Sequence, residues 1–397
     1  MKSAMVFIVS LIVFSGIAVA AYFALDYYLE WTPRETPLQA EVFLPMPEPE
    51  YLAYTNTDDE LNQEDMQAYD YNDYEEYYQQ YNPEAYAYEP VCNLVTITLS
   101  VAGDTTLGGD RRWAGYHAFM REFENSGQDH SFFFRNIAHI FYDSDLSIVN
   151  LEGTLTYATY HMDKPFVFRG PPHFARILSL GNVDAVTISN NHTIDFGQRG
   201  YEDTIEALRA EDIVYFGNEF KTIMEVNGIY VGLFGYRIWN DSAENRNRIR
   251  AAIYNLQNRG AQLIIAYYHW GTEHVNRPEQ YQINIGRYSI RNGADLVLGA
   301  HPHVIQGIEE YMGRFIVYSL ANFSFGGNAN PRDQDSFIFQ QTFSFYNGVL
   351  LPDIYKNIIP VFVSSVRNRN NFQPTVAEGA DAERIMARIE RYSEWLR

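Results

Sequence analysis

Apolar and polar positions change rhythm twice along this chain. From Met5 to Leu25, "MVFIVSLIVFSGIAVAAYFAL", no residue is charged. From residue 31 to 91 neither a helical stripe nor a strand-like alternation holds for long. After Asn93 short apolar runs alternate with amphipathic stretches. The runs 94–101, 146–150, 184–190, 230–235, 262–269, 295–300 and 315–320 read as strands, most of them buried. Residues 131–142, 173–180, 198–210, 247–259 and 279–292 read as helices between them. Strands and helices taking turns predict an α/β fold. Ligands in such folds gather beyond the carboxyl ends of the strands.

The first stretch predicts a membrane element. At about 1.5 Å per helical residue a run of this length spans roughly 30 Å, the thickness of a bilayer core. Lys2 precedes it, and Asp26 and Glu30 follow, which places the amino end in the cytoplasm and the body outside. Ala18-Val19-Ala20 offers the rival reading of a cleaved secretion signal. Both export the body. Residues 1–30 are therefore expected to be an anchor or signal segment.

Residues 31–91 hold "YDYNDYEEYYQQYNPEAYAYEP", rich in Tyr and acids. Such a tract buries too little apolar surface to offset its chain entropy and predicts a disordered, self-repelling linker. No Lys or Arg occurs between Arg34 and Arg111, so much of the net charge of −21 belongs to this segment. That charge argues against nucleic acid as a partner. Cys92 is the single cysteine, which excludes a disulfide within one chain and a cysteine-based metal site. The folded body is expected over 92–397.

Polar groups cluster where the predicted strands end. Asp104 follows the first run, Asn150 and Glu152 the second, and Asn191, His192 and Asp195 the third. His269 and Glu273 end a later one, and His301 and His303 follow "DLVLGA". Each alone has an ordinary reading as a turn residue, a salt-bridge partner or a core histidine. Together, oxygen and imidazole donors from separate strand ends suit a borderline divalent metal such as Mn, Zn or Fe. Arg111, Arg112, Lys164 and Arg169 lie between these segments and are candidates for binding an anion.

The stretches "GDTTLGG", "NLEGTLT", "KPFVFRGPP", "SNNHTIDFG", "HWGTEH", "GAHPHVIQG" and "YSLANFSFGG" run in order from 103 to 327. In them the body resembles the calcineurin-like metallophosphoesterases, and more closely the capsule-synthesis CapA family of poly-γ-glutamate synthesis proteins. The resemblance implies a layered metallophosphoesterase-like β-sandwich flanked by helices. It implies Asp104, Glu152, Asn191, His269, His301 and His303 as metal ligands and His192 as general acid. Two departures stand out. Thr106 occupies the place of a ligand histidine, and "NLEG", with Glu152, replaces the second acidic motif.

The resemblance also implies a function. The chain is expected to be an anchored extracytoplasmic protein for synthesis, export or attachment of a poly-γ-glutamate-type polymer. The membrane, that anionic polymer and capsule synthase subunits would be its partners, and a metal-dependent hydrolase its activity. Two alternatives remain open on sequence: a general cell-surface metal-dependent phosphoesterase, and a non-catalytic polymer-binding component of a membrane synthase.

Overall fold

The computed structural model describes residues 40–41, 93–352 and 355–396. The anchor expected over Met5–Leu25, Cys92 and nearly all of the expected linker lie outside the described residues. Among the described residues no helix is long and apolar enough to cross a membrane.

Two large sheets form the body. The first has seven strands in the order β1 (Ala40–Glu41), β8 (Thr222–Val226), β9 (Ile229–Ile238), β10 (Leu263–Trp270), β11 (Leu296–Ala300), β13 (Arg314–Val317) and β12 (Ile308–Tyr311). The second has nine. Its path runs β18 (Thr375–Val376), β17 (Tyr355–Phe362), β15 (Asp335–Tyr346), β2 (Leu94–Thr106), β3 (Leu146–Leu151), β6 (Ala185–Thr187) and β7 (Val214–Phe216). Beside this path, β14 (Asn322–Phe325) pairs with β2 and β16 (Val349–Leu350) with β15. A two-stranded ribbon joins β4 (Thr154–Leu155) to β5 (Arg169–Gly170).

Side-chain alternation explains the layers. Successive residues of a strand face opposite sides. Ile148 therefore joins the core between the sheets while Val149 faces outward. In β10, Ile265 and Tyr267 face inward, and Ile264, Ala266 and Tyr268 face outward. Strands buried on both faces need cover. Helices α1 (Ala114–Asn125), α2 (Ala138–Tyr142), α3 (Ala175–Leu180) and α4 (Gly197–Ala210) supply it over the second sheet. Helices α5 (Ala243–Asn258) and α6 (Gln280–Arg291) cover the first. The last helix, α7 (Gly379–Ser393), inserts Ile385, Ile389 and Tyr392 into the edge of the inter-sheet core. The expected sandwich with flanking helices is thus the arrangement observed.

Local signals set the helix starts. The Ser242 side chain accepts from the Asn245 backbone N–H, and Glu279 and Gln282 cap α6 reciprocally. The helix expected over 131–142 is instead a 3₁₀ turn, His130–Phe133, followed by α2. Phe133 and Phe134 are adjacent and both fully buried. Both pack into the core that covers the second sheet.

Two residues make the packing testable. Gln341 lies on the inward side of β15, in phase with Phe339 and Phe343, yet neither of its amide atoms has a hydrogen-bond partner. An unsatisfied buried polar group costs about 1–3 kcal/mol. Gln341→Leu should therefore raise the denaturant midpoint, with an unchanged slope.

Asp335 anchors α7. It accepts from Arg384 at 2.5 and 2.8 Å and from Arg388 at 2.8 Å, and Arg388 also pairs with Asp333. Burial alone would raise the Asp335 carboxyl, but these hydrogen bonds hold it below its usual 3.8. A depressed acid stabilises the fold above its unfolded pKa, and that contribution disappears as pH falls through the folded value. Asp335→Asn should cost roughly 2 kcal/mol at neutral pH. Parent and variant should converge in acid below about 3.8.

Candidate metal centre

The parallel strands of both sheets end at one rim, and the polar residues identified at strand ends meet there. Gly103 makes the convergence possible. A Cβ at this position would lie 1.9 Å from the Ala321 carbonyl oxygen, so only glycine lets β2 approach so closely. The Asp104 N–H donates to that same carbonyl at 2.9 Å. Tyr267 joins the two sheets just beneath, donating to the Ala102 carbonyl at 2.9 Å.

The His-x-His pair turns into the site on an unusual backbone. His301 and His303 have φ values of +95° and +57°. Non-glycine residues rarely adopt such angles, and those that do cluster at functional sites. The His301 N–H points at the Asp104 carboxylate, 3.2 Å from Oδ2. Asn150 donates to Asp104 Oδ1 at 2.8 Å, and His303 Nδ1 lies 3.0 Å from Oδ2. His303 Nδ1 is also 3.0 Å from Asn322 Oδ1. With Nδ1 held this way, Nε2 of His303 turns toward Glu152, at 4.0 Å.

Glu152 is the focus. It is fully buried, and neither carboxyl oxygen has a hydrogen-bond partner. His192 Nε2 and His269 Nε2 each lie 3.8 Å from its Oε1. His301 Nδ1 is likewise buried and unpartnered. Donor atoms of Glu152, His301 and His303 all fall within 4.8 Å of one another. Burial pushes the Glu152 carboxyl well above its usual range, and the Asp104 carboxylate adds to this. Burial and the neighbouring His301 and His303 rings hold His269 well below an ordinary histidine. Burial, followed by His303, holds His301 down at about 4. His303 goes the other way. Burial opposes its charge, but Glu152, Asp104 and Glu273 outweigh it and raise it to about 10.

These features fit a divalent cation. A buried carboxylate with two unused oxygens and a buried imidazole with an unused nitrogen are costly unless something positive binds them. Because carboxylate and imidazole ligands bind a metal in their deprotonated forms, metal uptake here should release protons.

The other expected residues take distinct places. Asn191 Oδ1 accepts from His269 Nε2 at 2.7 Å. His192 stacks on Phe168, ring centroids 4.0 Å apart, with Nδ1 2.5 Å from Asp195 Oδ2 and Nε2 toward the centre. Lys164, expected to meet an anion, donates instead to Asp195 at 2.5 Å and to the Asn191 carbonyl at 2.7 Å. Arg112 forks onto Asp110 and reaches the Lys164 and Pro165 carbonyls. Arg169 donates to the Ala158 carbonyl and lies over the Phe196 ring. Arg111 is exposed beside Tyr116. The four cations therefore do not converge on the centre.

Sequence reasoning does not single out Asn190 or Asn322. Asn190 donates to Asn150 Oδ1 and to the Leu151 carbonyl, and accepts from the His192 N–H, so it shapes the turn bearing His192. Asn322 is the register partner of Asp104 across β14 and β2. Trp239, half-exposed, sets its ring edge-on to His301 at 4.8 Å.

Residues 98–327 match the family described as "Bacterial capsule synthesis protein PGA_cap". Among curated relatives, the "PGA biosynthesis protein CapA" of Bacillus subtilis is 27% identical over 48% of this chain and 56% of its own length. The "Capsule biosynthesis protein CapA" of Bacillus anthracis is 24% identical over 58% and 60% respectively. A "Probable polyglutamine synthesis accessory protein" of Mycobacterium tuberculosis is 25% identical over 63% and 73%. The chain thus spans a little over half the length of the two Bacillus relatives. A solved structure of a hypothetical protein from Thermus thermophilus aligns at a TM-score of 0.40 and 14% identity, covering 66% of this chain and 99% of that one. The matched family span holds Asp104, Glu152, Asn191, His192, His269, His301 and His303, and the chain belongs to the bacterial capsule synthesis protein PGA_cap family, within the metallophosphoesterase-like superfamily.

Proposed function

We propose that this protein serves the synthesis, export or attachment of a poly-γ-glutamate-type capsule polymer, as a metal-dependent hydrolase of the anchored, extracytoplasmic kind. The observation that carries the reading is the coincidence of the family match with the buried, unpartnered Glu152 carboxyl and its ring of imidazoles. The words PGA and capsule in the names of the two Bacillus relatives support a capsule polymer as the product served. The uncharged run Met5–Leu25 supplies the anchor, and synthase subunits at the membrane are the natural partners.

A divalent ion held by the strand-end residues would act as a Lewis acid on a phosphoryl or γ-glutamyl carbonyl oxygen and lower the pKa of a bound water. The chain's own residues do the rest. Asp195 fixes the Nδ1 proton of His192, and Phe168 fixes the plane of the ring, so Nε2 is the atom that exchanges protons with a ligand. Burial holds His192 below its usual range despite Asp195. Its resting Nε2 therefore offers a lone pair, which must take up a proton before it can protonate a leaving group. Lys164 balances the charge of Asp195 and ties that carboxylate to the 190–192 turn.

The test is made in cells that produce the polymer. Replacing the parent chain with Glu152→Gln should abolish cell-bound γ-linked polyglutamate while the protein level stays unchanged. Normal polymer from that variant would rule out a role for the metal centre. Protease added to intact cells should degrade the body, and protection in cells whose exposed proteins are digested would contradict the proposed orientation.

A further inference from the structure

We propose that the centre holds one divalent ion per chain, on Glu152, His301 and His303, and that Thr106 keeps a second ion out. This rests on the metal reading above and says how many ions the centre takes and from which atoms.

A protein metal site that keeps an open position for a ligand is built from about three protein donors. Among the described residues, one group of His, Cys, Asp and Glu atoms is close enough to share an ion: Glu152, His301 and His303. It is also where the unused valence lies, on both Glu152 oxygens and on His301 Nδ1. The neighbouring donors are already matched to one another. Asp104 receives Asn150, the His301 N–H and His303 Nδ1. Asn191 and His269 form a second matched pair.

Asp104 therefore acts on the ion through His303. It holds Nδ1 and leaves Nε2 aimed at Glu152, the arrangement by which carboxylates orient metal-binding histidines. A second ion beside Asp104 would need further donors of its own. The side chain two residues on, on the same face of β2, is Thr106. Its hydroxyl donates to the Glu152 backbone carbonyl at 2.7 Å and is buried. It ties the end of β2 to the turn that carries Glu152 and has no charge to offer a cation. Two imidazoles and one carboxylate with open positions form a mononuclear donor set suited to Zn, Mn or Fe.

The experiment loads the full chain with Mn²⁺, removes unbound ion by gel filtration, and measures bound metal per chain together with the electron paramagnetic resonance spectrum. The expected result is one Mn²⁺ per chain with the signal of an isolated ion. His301→Ala and His303→Ala should each fall well below one, while His269→Ala should stay near one. Thr106→His, if circular dichroism shows it folded, should rise toward two and give the signal of an interacting pair. The parent count decides even if that variant does not fold. Two ions per parent chain, or a spin-coupled pair, would overturn the single-ion inference and leave the metal reading standing. A centre emptied by His269→Ala but not by His303→Ala would overturn the ligand assignment. A parent that binds no Mn²⁺, Zn²⁺ or Fe²⁺ would overturn the metal reading, and the inference with it.

Discussion

Glu152→Met is expected to make the metal-free protein more stable and, in the same molecule, to remove its response to metal. The two effects have one cause. Glu152 is fully buried with both oxygens unpartnered, a burden of roughly 1–3 kcal/mol that an apolar side chain of similar size does not carry. The gain should depend on pH with a definite sign. The folded-state carboxyl titrates well above its model value of 4.5, so the folded chain holds that proton more tightly than the unfolded one. The metal-free parent should accordingly lose stability as pH rises above about 4.5, and the variant should not share that loss. Metal reverses the ranking. An ion at a hundred times its dissociation constant stabilises the parent by about 2.7 kcal/mol and should do nothing measurable for Glu152→Met. Thermal melts with and without Mn²⁺ across pH check all of this. A variant that is less stable without metal, or equally stabilised by it, would show that Glu152 is satisfied in some other way.

His192→Ala should cut turnover by about 10²–10⁴-fold with metal content unchanged, because it removes a proton-transfer group and no ligand. Asp195→Asn should reproduce much of the loss, since Asp195 holds the ring by Nδ1. Lys164→Met discriminates between two roles. A lysine that bound an anionic substrate would, when removed, raise KM and spare kcat. A lysine that supports Asp195 and the His192 turn should instead lower kcat with little change in KM. A phosphodiester and a γ-glutamyl anilide, each releasing a chromophore, serve as probes. Full turnover in His192→Ala would remove the acid–base role.

Much of this centre is legible in the sequence because its residues sit at the ends of apolar runs. Asp104, Glu152, His269 and the His301–His303 pair follow strands whose buried, branched composition reveals them, and parallel strands bring their ends to one rim. The partners that tune these residues are not legible. Asn322 reaches Asp104 through strand pairing across more than two hundred residues, and no local pattern announces it. Lys164 looks like a free cation in "DKPFVF" until the fold carries it to Asp195, 31 positions away. The same holds for Arg112 and Arg169, whose fork geometry suits an anion but is taken up by Asp110 and by backbone carbonyls. In α7 the spacing of Ile385, Ile389 and Tyr392 marks a helical face, although the segment lies beyond the last site residue and is not among the helices expected from the sequence. The hairpin strands β15 and β17 alternate only in part, which blurs their signal.

A cation in the space between Glu152 and His301 is the claim on which the rest depends. Crystals of the protein grown with Mn²⁺ or Zn²⁺ and measured on both sides of the metal absorption edge test it directly. The predicted result is an anomalous peak within about 2.0–2.3 Å of a Glu152 carboxyl oxygen and of the His301 and His303 nitrogens. No peak there, and a Glu152 carboxyl hydrogen-bonded to water or protein instead, would contradict it.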